Sequence, residues 1–268
     1  MARRWYHEVS AEWLKARQTV LTATDVAGLL PEYKRYLKAG SPDIPTPGFS
    51  ALWCKKHSDM YLDTASTEAA ARGHIMEPYA VESWNMQASP SFHHWDDCII
   101  CNKTFGFSPD AMVIPQMTND VRLEVTSDGK FIVADNNMHY DTPDEVMEIK
   151  CYAPDQHMKA IVEDRMEHKE LMQLAMAFVV LPNLEAIRIL WFCPGAPISM
   201  FTEKYTCDDL HDQIRWIMEI AEVYKACDDY WIQKIVNEPS SLVAKVTEDE
   251  VYAGYMADKT DDNIFMLK

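Results

Sequence analysis

Two short segments hold the side chains best suited to chemistry on a phosphodiester. Asp110 lies in Phe107-Ser108-Pro109-Asp110-Ala111, and Glu148-Ile149-Lys150 follows downstream. Glu148 and Lys150 are two apart in a β-favouring stretch, so both point to one face of a strand. If the segments are neighbours, two carboxylates and one ammonium converge. Mg²⁺ prefers carboxylate oxygen and takes one or two such ligands, with water and substrate phosphate completing the shell. Such an ion polarises a phosphoryl oxygen and acidifies a bound water. A lysine beside it suits the charge that develops during hydrolysis. This inventory needs no serine or cysteine nucleophile.

A third carboxylate draws attention by its position. Ser66 to Met86 has helical periodicity through Ala69, Ala70, Gly73, Met76, Ala80, Val81 and Trp84, and Glu77 lies on that same apolar face. A carboxylate there must be paired, protonated or bound to a cation.

The elements that position these groups follow from patterning. Ser10–Gln18 reads as a short helix. A second helix carries Val26, Leu29 and Leu30 and is expected to stop near Pro31. Residues 40–48 are rich in proline and glycine and read as a loop, followed by a helix through Leu52 and Trp53. From Ser91 to Ile149 short strands dominate around Phe92, Ile99, Phe105 and Val113. Val121–Val125 and Lys130–Ala134 form a hairpin about Ser127-Asp128-Gly129. Val146–Cys151 is a further strand, Met158–Val180 is largely helical, and Ala186–Phe192 and Met200–Thr206 are strands. Asp208–Val236 is a long amphipathic helix. The order predicts one α/β domain over residues 1–268, a central mixed sheet flanked by helices. Its parts are an N-terminal helical region (1–60), an inserted hairpin (about 115–145), and a C-terminal helix with an acidic tail (207–268).

Taken together the blocks resemble the lambda-exonuclease-like (YqaJ-type viral recombinase) branch of the PD-(D/E)XK nucleases. Glu12-Trp-Leu-Lys-Ala-Arg17 and Leu21-Thr-Ala-Thr24 are similar to that family's Trp-x-x-x-Arg and Ile-Thr-Ala-Ser elements. Arg72-Gly-His-Ile-Met-Glu77-Pro-Tyr-Ala80 resembles its Gly-x-x-x-Glu-x-x-Ala helix. Phe107-Ser-Pro-Asp110, Met147-Glu-Ile-Lys-Cys151 and Leu171-Met-Gln173 follow in the family's order. The blocks cover residues 12–175, about 60% of the chain. The resemblance implies a restriction-endonuclease-like core and a Mg²⁺-dependent deoxyribonuclease, with Mn²⁺ as a substitute. It assigns metal binding to Asp110, Glu148, the Ile149 carbonyl and, as an accessory, Glu77. It makes Lys150 the catalytic lysine and puts Arg17, Thr24, Ser108 and Gln173 around a phosphate. It further implies 5′-to-3′ digestion of one strand of linear duplex DNA from an end, in phage-type recombination. A ring-shaped homotrimer, a single-strand-annealing partner and a bacterial cytoplasm as the site of action go with it. The chain departs from the family at Ala111, where glycine is usual, at Glu170, where tyrosine is common, and in the long Asp110–Glu148 stretch.

Composition bounds the alternatives. Net charge is −17, yet residues 1–60 hold nine Lys/Arg against six Asp/Glu, a local +3 that can meet phosphates. No apolar run approaches a membrane span, and the N-terminus has no apolar signal region. Seven scattered cysteines fit a reducing compartment. Cys98-Ile-Ile-Cys101 reads as a pair of strand thiols, since no second pair stands at zinc spacing. His93-His94 with Asp96 and Asp97 reads as no shared metal site, because adjacent strand residues face opposite ways. The aromatic residues read mostly as core, and the acidic run at Glu248–Glu250 and Asp261-Asp262 as a solvated tail. Two rival functions remain: a same-fold endonuclease or end processor, and a non-catalytic DNA-end-binding accessory protein. There is no helicase motif, and one CxxC cannot hold a four-cysteine iron–sulfur cluster.

Overall fold

A computed structural model describes residues 11–39, 46–58, 68–95, 98–113, 143–163 and 166–237, together with three short strands at 123–125, 131–133 and 138–140. The N-terminal part holds α1 (Ala11–Thr19), β1 (Leu21–Thr22), α2 (Ala23–Ala39), α3 (Pro47–His57) and α4 (Glu68–Asn85). Short strands follow: β2 (His93–His94), β3 (Ile100–Cys101), β4 (Phe105–Phe107) and β5 (Ala111–Met112). Next come β6 (Leu123–Val125), β7 (Phe131–Val133), β8 (Met138–Tyr140) and β9 (Glu145–Lys150). The chain ends its described part with α5 (Pro154–Glu163), α6 (His168–Val180), β10 (Ala186–Phe192), β11 (Met200–Tyr205) and α7 (His211–Asn237).

The central sheet is mixed, in the order β11-β10-β9-β5-β2. β9 runs parallel to β10 and antiparallel to β5. This is the expected central mixed sheet, and a second sheet, β1-β4-β3, is separate from it. The expected hairpin is present as β6 against β7, paired Leu123 to Val133 and Val125 to Phe131. A third strand, β8, extends it; its turns lie outside the described residues, as do Ser10, Asp96, Asp97 and the acidic tail.

Alternation along β9 and β10 sorts the helices onto two faces. Val146, Ile187, Ile189 and Trp191 join the larger apolar cluster with α2, α6 and α7. Met147, Ile149, Leu190 and Phe192 join a smaller cluster with Ala80, Val81 and Trp84 of α4. The sheet is thus covered by α6 and its neighbours on one side and by α4 on the other.

One expectation needs correction. α2 does not stop at Pro31 but continues to Ala39. Proline removes one backbone donor there, but burial of Leu30 and Tyr33 carries the helix on, and the Tyr33 hydroxyl donates to Glu219 of α7 at 2.9 Å. The Met158–Val180 segment is largely helical as expected, in two helices. Glu167 and Glu170 form a reciprocal capping box that restarts the chain as α6.

Gly106 of β4 stands between two strands. It pairs with Thr22 of β1 and Cys101 of β3. A Cβ at this position would stand 2.5 Å from Val20 Cγ2.

Candidate active site

β9 places Glu148 and Lys150 on the α6 face. The Lys150 ammonium donates to Glu148 Oε1 at 2.6 Å and to Gln173 Oε1 of α6 at 3.0 Å. The sheet also explains Asp110. β5 pairs with β9 only through Ala111–Met147 and Met112–Val146. One residue earlier, Asp110 donates its backbone N–H to the Met147 carbonyl at 3.2 Å and accepts from Trp95 N at 3.1 Å. Its side chain takes over the next rung: Ile149 N donates to Asp110 Oδ2 at 2.6 Å. Asp110 is thereby fixed beside Glu148 by main-chain geometry.

α4 brings Glu77 from the opposite face of the sheet. The carboxylate is buried, and its Oε2 lies 3.5 Å from His74 Nδ1 and 3.6 Å from His94 Nε2. His74 is one turn before Glu77. His94 arrives from β2, whose pairing with Ala111 sets it beside Asp110. The two histidines answer how the apolar face of α4 tolerates a carboxylate. Of the adjacent pair His93-His94, His94 joins this site, in keeping with the opposite facing of neighbouring strand residues. Finding it from sequence required the β2–β5 register, which no local pattern carries; His74 was accessible as an i−3 neighbour.

All the residues assigned roles from sequence line one cleft of about 620 Å³: Arg17, Thr24, Glu77, Ser108, Asp110, Glu148, Ile149, Lys150 and Gln173. Trp13, Arg72, His74 and Tyr152 line it as well. The Arg17 guanidinium lies over the Trp13 ring, 4.3 Å from its centroid. Trp13 Nε1 donates to Ser108 Oγ at 3.2 Å, and Ser108 in turn donates to the Cys98 carbonyl. Behind Arg17, the Lys56 ammonium of α3 spends its three donors on Asp25 Oδ2 (2.7 Å), the Arg17 carbonyl (2.7 Å) and the Val20 carbonyl (2.6 Å). Asp25 also accepts from the Thr22 hydroxyl and backbone N–H at the start of α2. This buried knot fixes α1 against the helix that carries Thr24. Glu170 has a partner too, since the Tyr152 hydroxyl donates to it.

Electrostatics follow from three carboxylates facing one ammonium. Burial and the charges of Glu148 and Glu77 push the Asp110 carboxyl well above the usual carboxylate range. Burial acts to lower Lys150, but Glu148 and Asp110 outweigh it and raise it, so the side chain stays an ammonium. Burial acts to raise Glu77, yet hydrogen bonds and charge from His74 and His94 hold it down at about 2. Asp110 is therefore under-compensated: the pull of Lys150 and the Ile149 N–H is outweighed by burial and its two carboxylate neighbours.

Such a donor set fits a divalent cation. Asp110 and Glu148, with the Ile149 carbonyl, supply oxygen ligands of the kind Mg²⁺ takes while keeping several waters. Among the described residues no group of three or more His, Cys, Asp or Glu side chains is gathered so as to hold a metal ion. Cys98 and Cys101 are free; burial, and then Cys101, push the Cys98 thiol up to about 12. Among the described residues no helix is long and apolar enough to cross a membrane.

Comparison with solved structures shows a shared fold. The chain is similar to an alkaline exonuclease (LHK-Exo) from Laribacter hongkongensis, with a TM-score of 0.57 at 16% identity. The match covers 85% of this chain and 99% of that one. LHK-Exo in complex with dAMP matches equally well, at 18% identity and a TM-score of 0.57. No protein-family model and no curated protein matches the chain. The fold implied by the sequence resemblance is the fold found.

Proposed function

We propose that this protein is a Mg²⁺-dependent exonuclease that degrades one strand of linear duplex DNA from a 5′ end. The observation that carries this reading is the cleft itself. Asp110, Glu148 and Lys150 meet there with a guanidinium, two hydroxyls and the Gln173 amide. The fold shared with an alkaline exonuclease supports it.

Asp110, Glu148 and the Ile149 carbonyl would hold the cation, with Glu77 close by. When bound, it polarises a phosphoryl oxygen and lowers the pKa of a water. The chain's own groups do the rest. Arg17, stacked on Trp13, presents a planar fork that suits a phosphate bidentately. Lys150, charged and anchored to Glu148 and Gln173, donates to the charge developing on phosphorus or to the attacking water. The water oxygen bonds to phosphorus, the bond to the 3′ oxygen breaks, and that oxygen leaves with a proton. A 5′-mononucleotide departs and a new 5′ phosphate remains on the strand, ready for the next cycle. The recombination setting, the annealing partner and the homotrimer belong to this same reading.

The test compares linear duplex DNA, with and without a 5′ phosphate, and closed circular DNA, each with Mg²⁺ or chelator. Mg²⁺-dependent loss of linear DNA alone is expected, fastest with the 5′ phosphate. Cutting of the circle would replace the exonuclease with the endonuclease reading, and inert protein would leave the accessory-protein reading.

A further inference from the structure

Five arginines are described in the structure, and their partners separate them. Arg188 pairs with Glu145 and Arg215 with Asp212. Arg35 is exposed to solvent. Arg17 and Arg72 both line the cleft; among the described residues neither forms an ion pair, and Asp25 and Glu148 act on Arg17 only at longer range. In a chain of net charge −17, with three carboxylates in the same cleft, that is a notable arrangement. Arg72 is half-buried, and its one hydrogen bond among the described residues is long: Nη1 to the Cys151 carbonyl at 3.5 Å. Most of its five donors therefore remain for a ligand.

The two guanidiniums come from opposite faces of the sheet. Arg17 sits at the end of α1, held by Lys56 to the elements that pack with α2 and α6. Arg72 is on α4, whose apolar face packs on Met147 and Ile149. The end of β9, with Glu148 and Lys150, lies between them. A single strand crossing the cleft would meet one cation on each side of the cutting centre.

Resting on the nuclease reading, we propose that Arg72 forms a second phosphate site, which binds the phosphodiester of the degraded strand next beyond the scissile one. Arg17 then holds the terminal 5′ phosphate on one side of the scissile phosphorus, and Arg72 holds the strand on the other, where the duplex enters. The scissile phosphorus is held between two anchors, and a strand with only one phosphodiester is held by half.

Binding of 5′-phosphorylated linear duplex is measured by fluorescence anisotropy, with Ca²⁺ in place of Mg²⁺. One duplex is unmodified. A second carries a single neutral methylphosphonate at the second phosphodiester from the 5′ end, and a third carries it on the complementary strand. Wild type is expected to bind the second duplex about tenfold more weakly, the loss of one charged phosphate contact. Arg72→Ala is expected to bind the unmodified duplex about tenfold more weakly, with a salt slope smaller by about one. It should not distinguish the first two duplexes, and Arg72→Lys should keep the slope. If Arg72→Ala binds unmodified DNA like wild type, or still loses affinity to the methylphosphonate, the proposal fails. Coupling to the third duplex instead of the second also overturns it. If Arg72 merely braces the Cys151 carbonyl, its loss lowers turnover with the slope unchanged. Wild type that binds no linear duplex would defeat the nuclease reading itself, a result separable from all of these.

Discussion

Asp110→Asn should stabilise the metal-free protein while removing its activity. The native carboxyl is pushed well above its ordinary range by burial and by Glu148 and Glu77. The sign of the effect follows from proton linkage. The folded state binds this proton more tightly than the unfolded state, so the contribution is full below the unfolded value of about 4 and is lost as pH rises toward the folded one. At pH 7–8 in chelator the wild type holds either a repelled carboxylate or a bound proton. The amide is isosteric and uncharged, and its oxygen still accepts the 2.6 Å bond from Ile149 N. A buried charged group left under-compensated costs at least about 1 kcal/mol, and about 1 kcal/mol moves the Tm of a chain this size by roughly 2–4 °C. A gain of at least about 2–4 °C over wild type in EDTA at neutral pH is therefore expected, shrinking as pH falls toward the unfolded value of about 4. Added Mg²⁺ should reverse the order, because ligand stabilises only the protein that binds it. Thermal melts of both proteins across pH 4–8, with EDTA and with Mg²⁺, read all of this. A variant less stable than wild type in EDTA throughout, or a difference indifferent to pH, would refute the idea that Asp110 is short of positive charge.

Three other perturbations have definite outcomes. Lys56→Met leaves Asp25 buried without its cation and frees two carbonyls, at a cost of roughly 3–5 kcal/mol; chemical denaturation reads it, and a loss under 1 kcal/mol would show that the knot behind Arg17 is not structural. Gly106→Ala drives a Cβ to 2.5 Å from Val20 Cγ2 and should cost about 1–3 kcal/mol by overpacking, measured in the same assay. Arg17→Ala should reduce the preference for 5′-phosphorylated over 5′-hydroxyl ends at least tenfold, the scale of one charged hydrogen-bonding partner; an unchanged ratio would remove Arg17 from the phosphate.

The elements that the sequence revealed are those whose signal is local. Periodicity located α4 and the α7 region, and the β10 boundaries agree at Ala186 and Phe192. Glu77 stood out because a carboxylate on an apolar face demands a partner. The partners themselves were harder. His74 is one turn away on the same helix, but His94 reaches Glu77 only through the β2–β5 register, a pairing of two-residue strands with no pattern of their own. Lys56 was hidden for the same reason: a lysine in α3 looks like a solvated charge until α1 and α2 fold around it. Pro31 misled because a proline's local cost says nothing of the burial that outweighs it. Glu170 looked out of place until Tyr152, from another element, was found hydrogen-bonded to it.

If the Asp110–Glu148–Lys150 cleft hydrolyses phosphodiesters one nucleotide at a time, its products take up solvent oxygen. They are read by mass analysis of 5′-phosphorylated linear duplex digested in ¹⁸O-labelled water with Mg²⁺. Such hydrolysis gives 5′-mononucleotides carrying one labelled oxygen on phosphorus. Their yield should fall by a factor of at least about 10² in Lys150→Ala, the scale of one transition-state donor, with the variant's melting curve showing it still folded. Oligonucleotide products, or labelled mononucleotides at wild-type rate from folded Lys150→Ala, would contradict such hydrolysis by this cleft.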